Sequence, residues 1–221
     1  YLMGVEDLLK KSGLMSGNEA TRCLETYPTG FDLLNQALLG GGWPKTGLVE
    51  ILLSTPSCGA LRLMMPLLVK LSQEGKWIIL INPPHTPLFS EWVREGVILS
   101  NVLVIDFPET DEDIEKKYLW AYEQALKFHG CGIALFWCDE LAIGKGRRLK
   151  LSAESGETLG LILRPSIYRR HPLAASSRLQ LDIIPKDPEY VEPREYAPLS
   201  LKVTHIKGNG APNKQEYILT L

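Results

Sequence analysis

The chain has 221 residues, of which 45% are hydrophobic and 23% are charged, and its formal net charge is −2. These values are typical of a globular domain that is large enough to bury a core without disulfide or metal staples. A net charge near zero excludes a global attraction to nucleic acid or anionic membranes, so any such contact requires a local basic patch.

The cysteines and the apolar runs indicate the compartment. Cys23, Cys58, Cys131 and Cys138 form no Cys-x-x-Cys pair and have no histidine at metal-ligand spacing, which predicts free thiols and no metal site. The longest apolar runs, such as residues 133–138, are too short to cross a bilayer. We therefore expect a cytoplasmic protein that does not contact membranes.

The first 27 residues are predicted to form an appendage to a main domain that spans residues 28–221. Within the appendage, residues 5–11 have the pattern of a short amphipathic helix. Residues 12–25 are rich in Ser, Gly, Asn and Thr, which is typical of a linker.

Strand and helix patterns alternate from residue 31 to residue 165. The predicted strands are residues 48–53, 77–81, 102–106, 133–138 and 159–164. The predicted helices are residues 31–38, 61–71, 89–95, 112–128 and 147–154. Most of these strands are continuous apolar runs, as expected for strands covered on both faces. The alternation implies an α/β protein with a mostly parallel twisted sheet and helices on both faces.

Beyond residue 165 the pattern changes to an alternation with a period of two. Residues 179–183, 199–204 and 216–220 follow it, which predicts antiparallel strands that extend one edge of the sheet. Residues 166–177, basic in their middle, and the proline-containing residues 187–198 are expected to be long connections.

A degenerate phosphate loop follows the strand at residues 48–53. Ser54 and Gly59 occupy the glycine positions of the pattern Gly-x-x-x-x-Gly-Lys-Ser/Thr, whereas Ala60 and Leu61 replace the lysine and the magnesium-binding hydroxyl. Without those two groups a loop cannot reach the β and γ phosphates or hold Mg²⁺ in the usual way. We therefore expect no catalytic residues, no cofactor and no ATPase activity. The loop is either a structural turn or an anion site formed by backbone N–H groups.

The opening and the tail of the main domain resemble the core of the RecA recombinase. The opening carries Pro28-Thr29-Gly30 and the glycines at 40–42, and the tail resemblance covers residues 177–182 and 201–215. This resemblance implies a RecA-like core with an antiparallel C-terminal extension. It also implies a pseudo-ATPase, since Pro84 stands at or near the place of the water-activating glutamate. Asp139 and Glu140 likewise come one or two residues late for the Walker B carboxylate.

Among degenerate RecA-like proteins, the chain most closely resembles the ImuA family of the bacterial SOS response. The resemblance is carried by Pro-Thr-Gly at 28–30, Gly-Gly-Trp-Pro at 41–44, the proline-rich residues 83–87 and residues 159–165. It implies a non-catalytic accessory protein of error-prone translesion DNA synthesis after DNA damage. The implied partners are an ImuB-like polymerase homologue, an error-prone C-family DNA polymerase and RecA.

Two alternatives stay open. The SulA division inhibitors resemble the middle of the chain, from about residue 61 to residue 165, which implies an inhibitor that binds the tubulin-like GTPase FtsZ. They are shorter and lack the Pro-Thr-Gly opening and the C-terminal strands, which favours the ImuA family. A working NTPase would need a lysine from elsewhere, such as Lys45 or Lys70, and nothing in the spacing requires either.

Two basic clusters are candidate contacts for DNA or for a partner protein. The first cluster is Lys145, Arg147, Arg148 and Lys150, and the second is Arg169, Arg170 and His171. Phosphate contacts need only such local charge, but a charge run is also typical of a solvated helix face. Arg164, beside Pro165, is either a partner anchor or a structural residue at the end of a strand.

Overall fold

The computed structural model describes residues 25–56, 59–108, 110, 112–184, 199–208 and 215–221. The strands are β1 Thr26–Tyr27, β2 Trp43–Pro44, β3 Gly47–Leu53, β4 Trp77–Ile81, β5 Val102–Ile105, β6 Cys131–Trp137, β7 Leu159–Pro165, β8 Ser177–Ile183, β9 Ser200–Gly208 and β10 Gln215–Thr220. The helices are α1 Asp32–Ala37, α2 Ala60–Gln73, α3 Phe89–Glu95, α4 Ile114–Lys127 and α5 Ile143–Ser155. The helix predicted at residues 5–11 lies outside the described residues.

A mixed sheet of eight strands forms the centre of the described structure, in the order β10-β9-β8-β3-β7-β6-β4-β5. Six of these strands, from β8 to β5, pair in parallel. The pairs β8–β9 and β9–β10 are antiparallel. The parallel strands therefore end along one common edge of the sheet, and the loops that follow them meet there.

The C-terminal strands differ in one respect from the sequence-based prediction. Residues 179–183 were expected to belong to an antiparallel extension, but β8 pairs in parallel with β3 and in register from Val49–Ser177 to Leu53–Leu181. The antiparallel part begins only at β9. A period of two shows that a strand has unequal faces, which is common in antiparallel sheets, but β8 lies where the two kinds of pairing meet, parallel to β3 and antiparallel to β9.

The sheet has an apolar core on each face. On one face, α2 packs Leu63, Met64 and Leu67 against the sheet. On the other face, α4 and α5 contribute Tyr122 and Leu149. Side chains alternate along β3 between these two cores, and every residue of β3 is buried. This double burial explains why the strand reads as a continuous apolar run.

The beginning of the described chain is joined to the main body. β1 pairs antiparallel with β2, and Lys45 forms an ion pair with Glu25 at 2.8 Å. The predicted domain boundary between residues 27 and 28 stays a prediction. None of the helices in the described ranges has the length and apolar character needed to cross a membrane.

Candidate functional site

A cavity of about 540 Å³ opens at the edge of the sheet where β3, β4, β6 and β7 end. Its walls include Ser54 and Thr55 after β3, Asn82 after β4, Trp137 at the end of β6 and Arg164 in β7. Open α/β sheets bind ligands in the crevice outside the carboxyl ends of their parallel strands. This cavity is therefore a candidate ligand-binding site.

Asn82 joins three strand ends beneath the cavity. Its backbone has a φ of 53°, in the left-handed region that non-glycine residues rarely adopt. Its side-chain amide donates a hydrogen bond to the carbonyl of Trp137 at 3.0 Å, and its backbone N–H donates to the carbonyl of Ile105 at 3.0 Å. These bonds fix the entry to the cavity in a conformation that costs on the order of 1 kcal/mol.

The cysteine at the cavity is poorly suited to nucleophilic chemistry. Burial raises the pKa of the Cys138 thiol to about 12, although the charge of Arg164 acts in the opposite direction. A thiol with that pKa stays protonated at neutral pH, and the thiolate is the nucleophilic form. Within the described residues, no three His, Cys, Asp or Glu side chains lie close enough together to hold a metal ion.

The degenerate phosphate loop lies at the rim of the cavity, and residues 57 and 58 fall outside the described ranges. Gly59 has a φ of 74°, and a Cβ added there would lie 2.5 Å from Leu199 Cδ2. Ala60 is buried and Leu61 packs against the core, so neither supplies a polar group to a phosphate. Apolar contacts therefore surround the start of α2, where a working P-loop would hold its lysine.

A buried ion cluster, formed by Glu50, Arg164 and Arg178, lies beside the cavity. Glu50 is fully buried on β3 and accepts a hydrogen bond from Arg164 Nη1 at 2.9 Å and another from Arg178 Nε. Arg164 is only 1% exposed. A side chain so deeply buried presents almost no surface to a partner, which favours the structural alternative over the partner anchor.

The sequence contains a feature that predicts a buried ion pair at this place, although the search for motifs did not use it. Glu50 is the one charged residue in the apolar run of β3. A charge inside a strand that is covered on both faces must be paired, because an isolated buried carboxylate is very costly. The partners could not be deduced, since they come from β7 and β8, more than a hundred residues away along the chain.

The first basic cluster is partly neutralised. On α5, Arg148 pairs with Glu123 of α4, and Lys150 pairs with Glu154 at 3.7 Å. Lys145 lines the cavity, and Arg147 is exposed on the outer side of the helix. The structure thus assigns half of this cluster to packing between and along helices.

The second basic cluster lies in the short 3-10 turn Ser166–Arg170, which follows β7. Arg169 donates a hydrogen bond to Gln180 Oε1 at 3.1 Å, and the side chain of Arg170 is exposed. This turn is held by the buried ion cluster, because Arg164 donates to the His171 carbonyl and Arg178 to the Arg169 carbonyl.

Together, the fold and the cavity define an α/β protein built on a mixed sheet of eight strands. The family model for the cell division inhibitor SulA matches residues 47–160, which is more than half of the chain. The chain therefore belongs to the SulA family.

Individual relatives agree with this assignment. The SulA of Photorhabdus laumondii is 27% identical over 121 residues, which cover 54% of this chain and 65% of that protein. The SulA of Klebsiella aerogenes is 32% identical over 105 residues, with coverages of 47% and 59%. These matches thus span about three fifths of each relative's length. The crystal structure of SulA from Pseudomonas aeruginosa has a TM-score of 0.42 and 22% identity, and the match covers 53% of this chain and 97% of that chain.

The family match corrects the assignment to ImuA and to a RecA-like core. The matched range includes β3 to β6 and the start of β7, the part of the chain from which the degenerate P-loop was inferred. The predicted role in translesion synthesis is therefore also wrong. The same holds for the partners predicted with it: the ImuB-like polymerase homologue, the C-family polymerase and RecA. The family is named for the inhibition of cell division and not for a catalysed reaction.

The error has a physical reason. A strand, a tight turn and a buried helix recur in many α/β folds, so the arrangement at residues 47–73 does not distinguish a decayed P-loop from a turn of other origin. The glycines and prolines at residues 28–44 report local turn geometry, which unrelated folds also need. The tail resemblance at residues 201–215 lies outside the matched range and partly outside the described residues.

Proposed function

We propose that this chain inhibits bacterial cell division and that it does so by binding FtsZ in the cytoplasm. The observation that carries the proposal is the match of residues 47–160 to the family of the cell division inhibitor SulA. The site chemistry supports binding over catalysis, because the buried Cys138 thiol has a raised pKa and Ala60 and Leu61 stand where a P-loop needs polar groups.

We also propose that the exposed members of the two basic clusters contact this protein partner and not DNA. Lys145 and Arg147 have exposed side chains on α5, and Arg169 and Arg170 are exposed on the turn after β7. An inhibitor that acts on a protein needs no phosphate contacts, and basic side chains can steer its association with an acidic surface.

Two measurements with purified protein test the proposal. The chain is added to FtsZ from the same organism, and GTP hydrolysis and sedimentable polymer are followed as the ratio of the two proteins rises. We expect both to fall towards zero near one chain per FtsZ, because each bound inhibitor withdraws one subunit from assembly. A heat-denatured sample of the chain serves as the control, and undiminished polymer at a several-fold excess of folded chain would contradict the proposal.

Nucleotide binding separates this function from that of a working NTPase. Ala60 and Leu61 remove the groups that hold the β and γ phosphates and Mg²⁺. The same FtsZ assay is therefore expected to give equal inhibition with and without ATP. Inhibition that required ATP would favour an NTPase.

A further inference from the structure

The turn Ser166–Arg170 exposes one large apolar side chain almost completely. Ile167 is 77% exposed, more than any other large hydrophobic residue in the described part of the chain. It is flanked by the half-buried Tyr168 and by the exposed Arg169 and Arg170. Aromatic and arginine side chains dominate the energetics of protein interfaces.

The buried ion cluster holds this turn in place. Arg164 Nη1 donates to the carbonyl of His171 at 3.2 Å, and Arg178 Nη2 donates to the carbonyl of Arg169 at 3.1 Å. The guanidinium of Arg164 also lies 4.6 Å from the centre of the Tyr168 ring, within the range of a cation–π contact. Both arginines are fixed in turn by Glu50.

Such a construction has little advantage for stability alone. Burying charges carries a desolvation cost that an apolar core of the same size would avoid. Here Arg164 and Arg178 each also donate a hydrogen bond to a backbone carbonyl at the exposed turn. A turn held in one conformation loses little entropy on association, so rigidity at this place favours binding.

The charge around the turn indicates the chemistry of the partner. Two buried arginines share the single carboxylate of Glu50, and Arg164 Nε also donates to the backbone carbonyl of Asp139 at 3.4 Å. Arg169 donates to Gln180, which in turn donates to both carboxylate oxygens of Asp182, and within the described residues neither Arg169 nor Arg170 forms a direct ion pair. The turn itself thus presents two arginines and no acidic residue, on a chain whose net charge is −2.

We propose that the turn Ser166–Arg170 is a docking element of this protein. Ile167 enters an apolar pocket of the partner, and Arg169 and Arg170 meet acidic side chains at the rim of that pocket. This inference rests on the proposed function, because the partner it commits to is FtsZ.

The test compares the affinity for purified FtsZ of the full chain with that of Ile167→Ala and Arg170→Glu variants, by biolayer interferometry. We expect Ile167→Ala to weaken binding at least 10-fold, which corresponds to about 1.4 kcal/mol. We expect Arg170→Glu to slow association and to make its rate less sensitive to salt, because it removes a steering charge. Both side chains are exposed, so the circular dichroism melting curves should stay unchanged.

Ile218→Ala is the matched control, because Ile218 is 63% exposed on the edge strand β10 and loses the same atoms. Unchanged binding of this control together with weakened binding of Ile167→Ala supports the inference. Equal binding of wild type and Ile167→Ala, or equal weakening by the control, overturns it and leaves the proposed function standing. If the wild-type chain does not bind FtsZ, the proposed function and the inference fall together.

Discussion

At the residue scale, Glu50 determines whether two buried arginines are tolerated. Its two carboxylate oxygens accept hydrogen bonds from Arg164 and from Arg178, one from each neighbouring strand. A carboxylate that satisfies two cations in this way also fixes their side-chain conformations. Each arginine also donates one hydrogen bond to the backbone of the segment after β7, while Arg164 Nε donates to the carbonyl of Asp139 after β6.

Replacing Glu50 by Ala should therefore destabilise the fold severely. The substitution leaves two guanidinium groups buried without a counter-charge, and removing one partner of a buried pair costs about 3–5 kcal/mol. The free energy of unfolding, measured in urea, should fall by about that amount. A triple variant, Glu50→Leu with Arg164→Leu and Arg178→Leu, is the control, because it removes all three charges together. A triple variant no more stable than Glu50→Ala would contradict the explanation.

At the element scale, the contact between α4 and α5 depends on a second shielded carboxylate. Glu123 accepts hydrogen bonds from Lys127 on its own helix, at 2.8 Å, and from Arg148 on α5. Burial alone would raise the pKa of Glu123, but the hydrogen bonds and charges of these two cations outweigh it and lower the pKa below its ordinary value of 4.5. The ionised form therefore stabilises the pairing of the helices.

This pKa shift predicts how stability responds to acid. A carboxylate whose pKa is lower in the folded state contributes stability above its unfolded pKa, and that contribution is lost as the pH falls through the folded value. Both cations are half exposed, so the pairs contribute about 0.5–1 kcal/mol. Relative to wild type, Glu123→Gln should melt about 1–4 °C lower at pH 7. The difference should shrink progressively as the pH falls below 4.5, and a difference that stays constant under acid would contradict the assignment.

The elements were the most predictable part of the structure. The strands β3, β4 and β6 are apolar runs because both of their faces are covered, so their composition alone predicts that they are buried. The pairing of these strands in the sheet is harder to predict from the sequence, as β8 shows, because it depends on residues distant along the chain. The site was harder still. The sequence marks Arg164 as a candidate, but its burial follows from the ion pair with Glu50 on the neighbouring strand β3, which the sequence alone does not reveal.

At the scale of the whole molecule, the family match and the fold cover different lengths of chain. The matched range ends at residue 160, at the start of β7. Three further strands, β8, β9 and β10, complete the sheet beyond it, and β8 lies against the central strand β3. The resemblance to RecA relied in part on this tail. A tail that completes a core is constrained by packing, so its apolar positions carry little information on function.

The last two strands should be indispensable for folding, although they lie outside the matched range. Leu201, Val203 and Leu219 are buried in the same core as α2, and Leu199 packs against Gly59 at the start of that helix. Each buried aliphatic side chain contributes about 1.5–3 kcal/mol. A chain that ends at Ile184 therefore loses on the order of 5 kcal/mol, which is comparable to the whole stability of a typical domain.

Thermal unfolding of this shortened chain, followed by near-ultraviolet circular dichroism, tests the expectation. We expect no cooperative transition, because the edge of β8 that pairs with β9 and the part of the core that Val203 covers would be open to water. Removing residues 1–24 instead is the matched control. The predicted domain begins at residue 28, so this second deletion should leave the transition in place. Cooperative melting of the chain that ends at Ile184 would mean that β9 and β10 are an addition to a core that is already complete at β8.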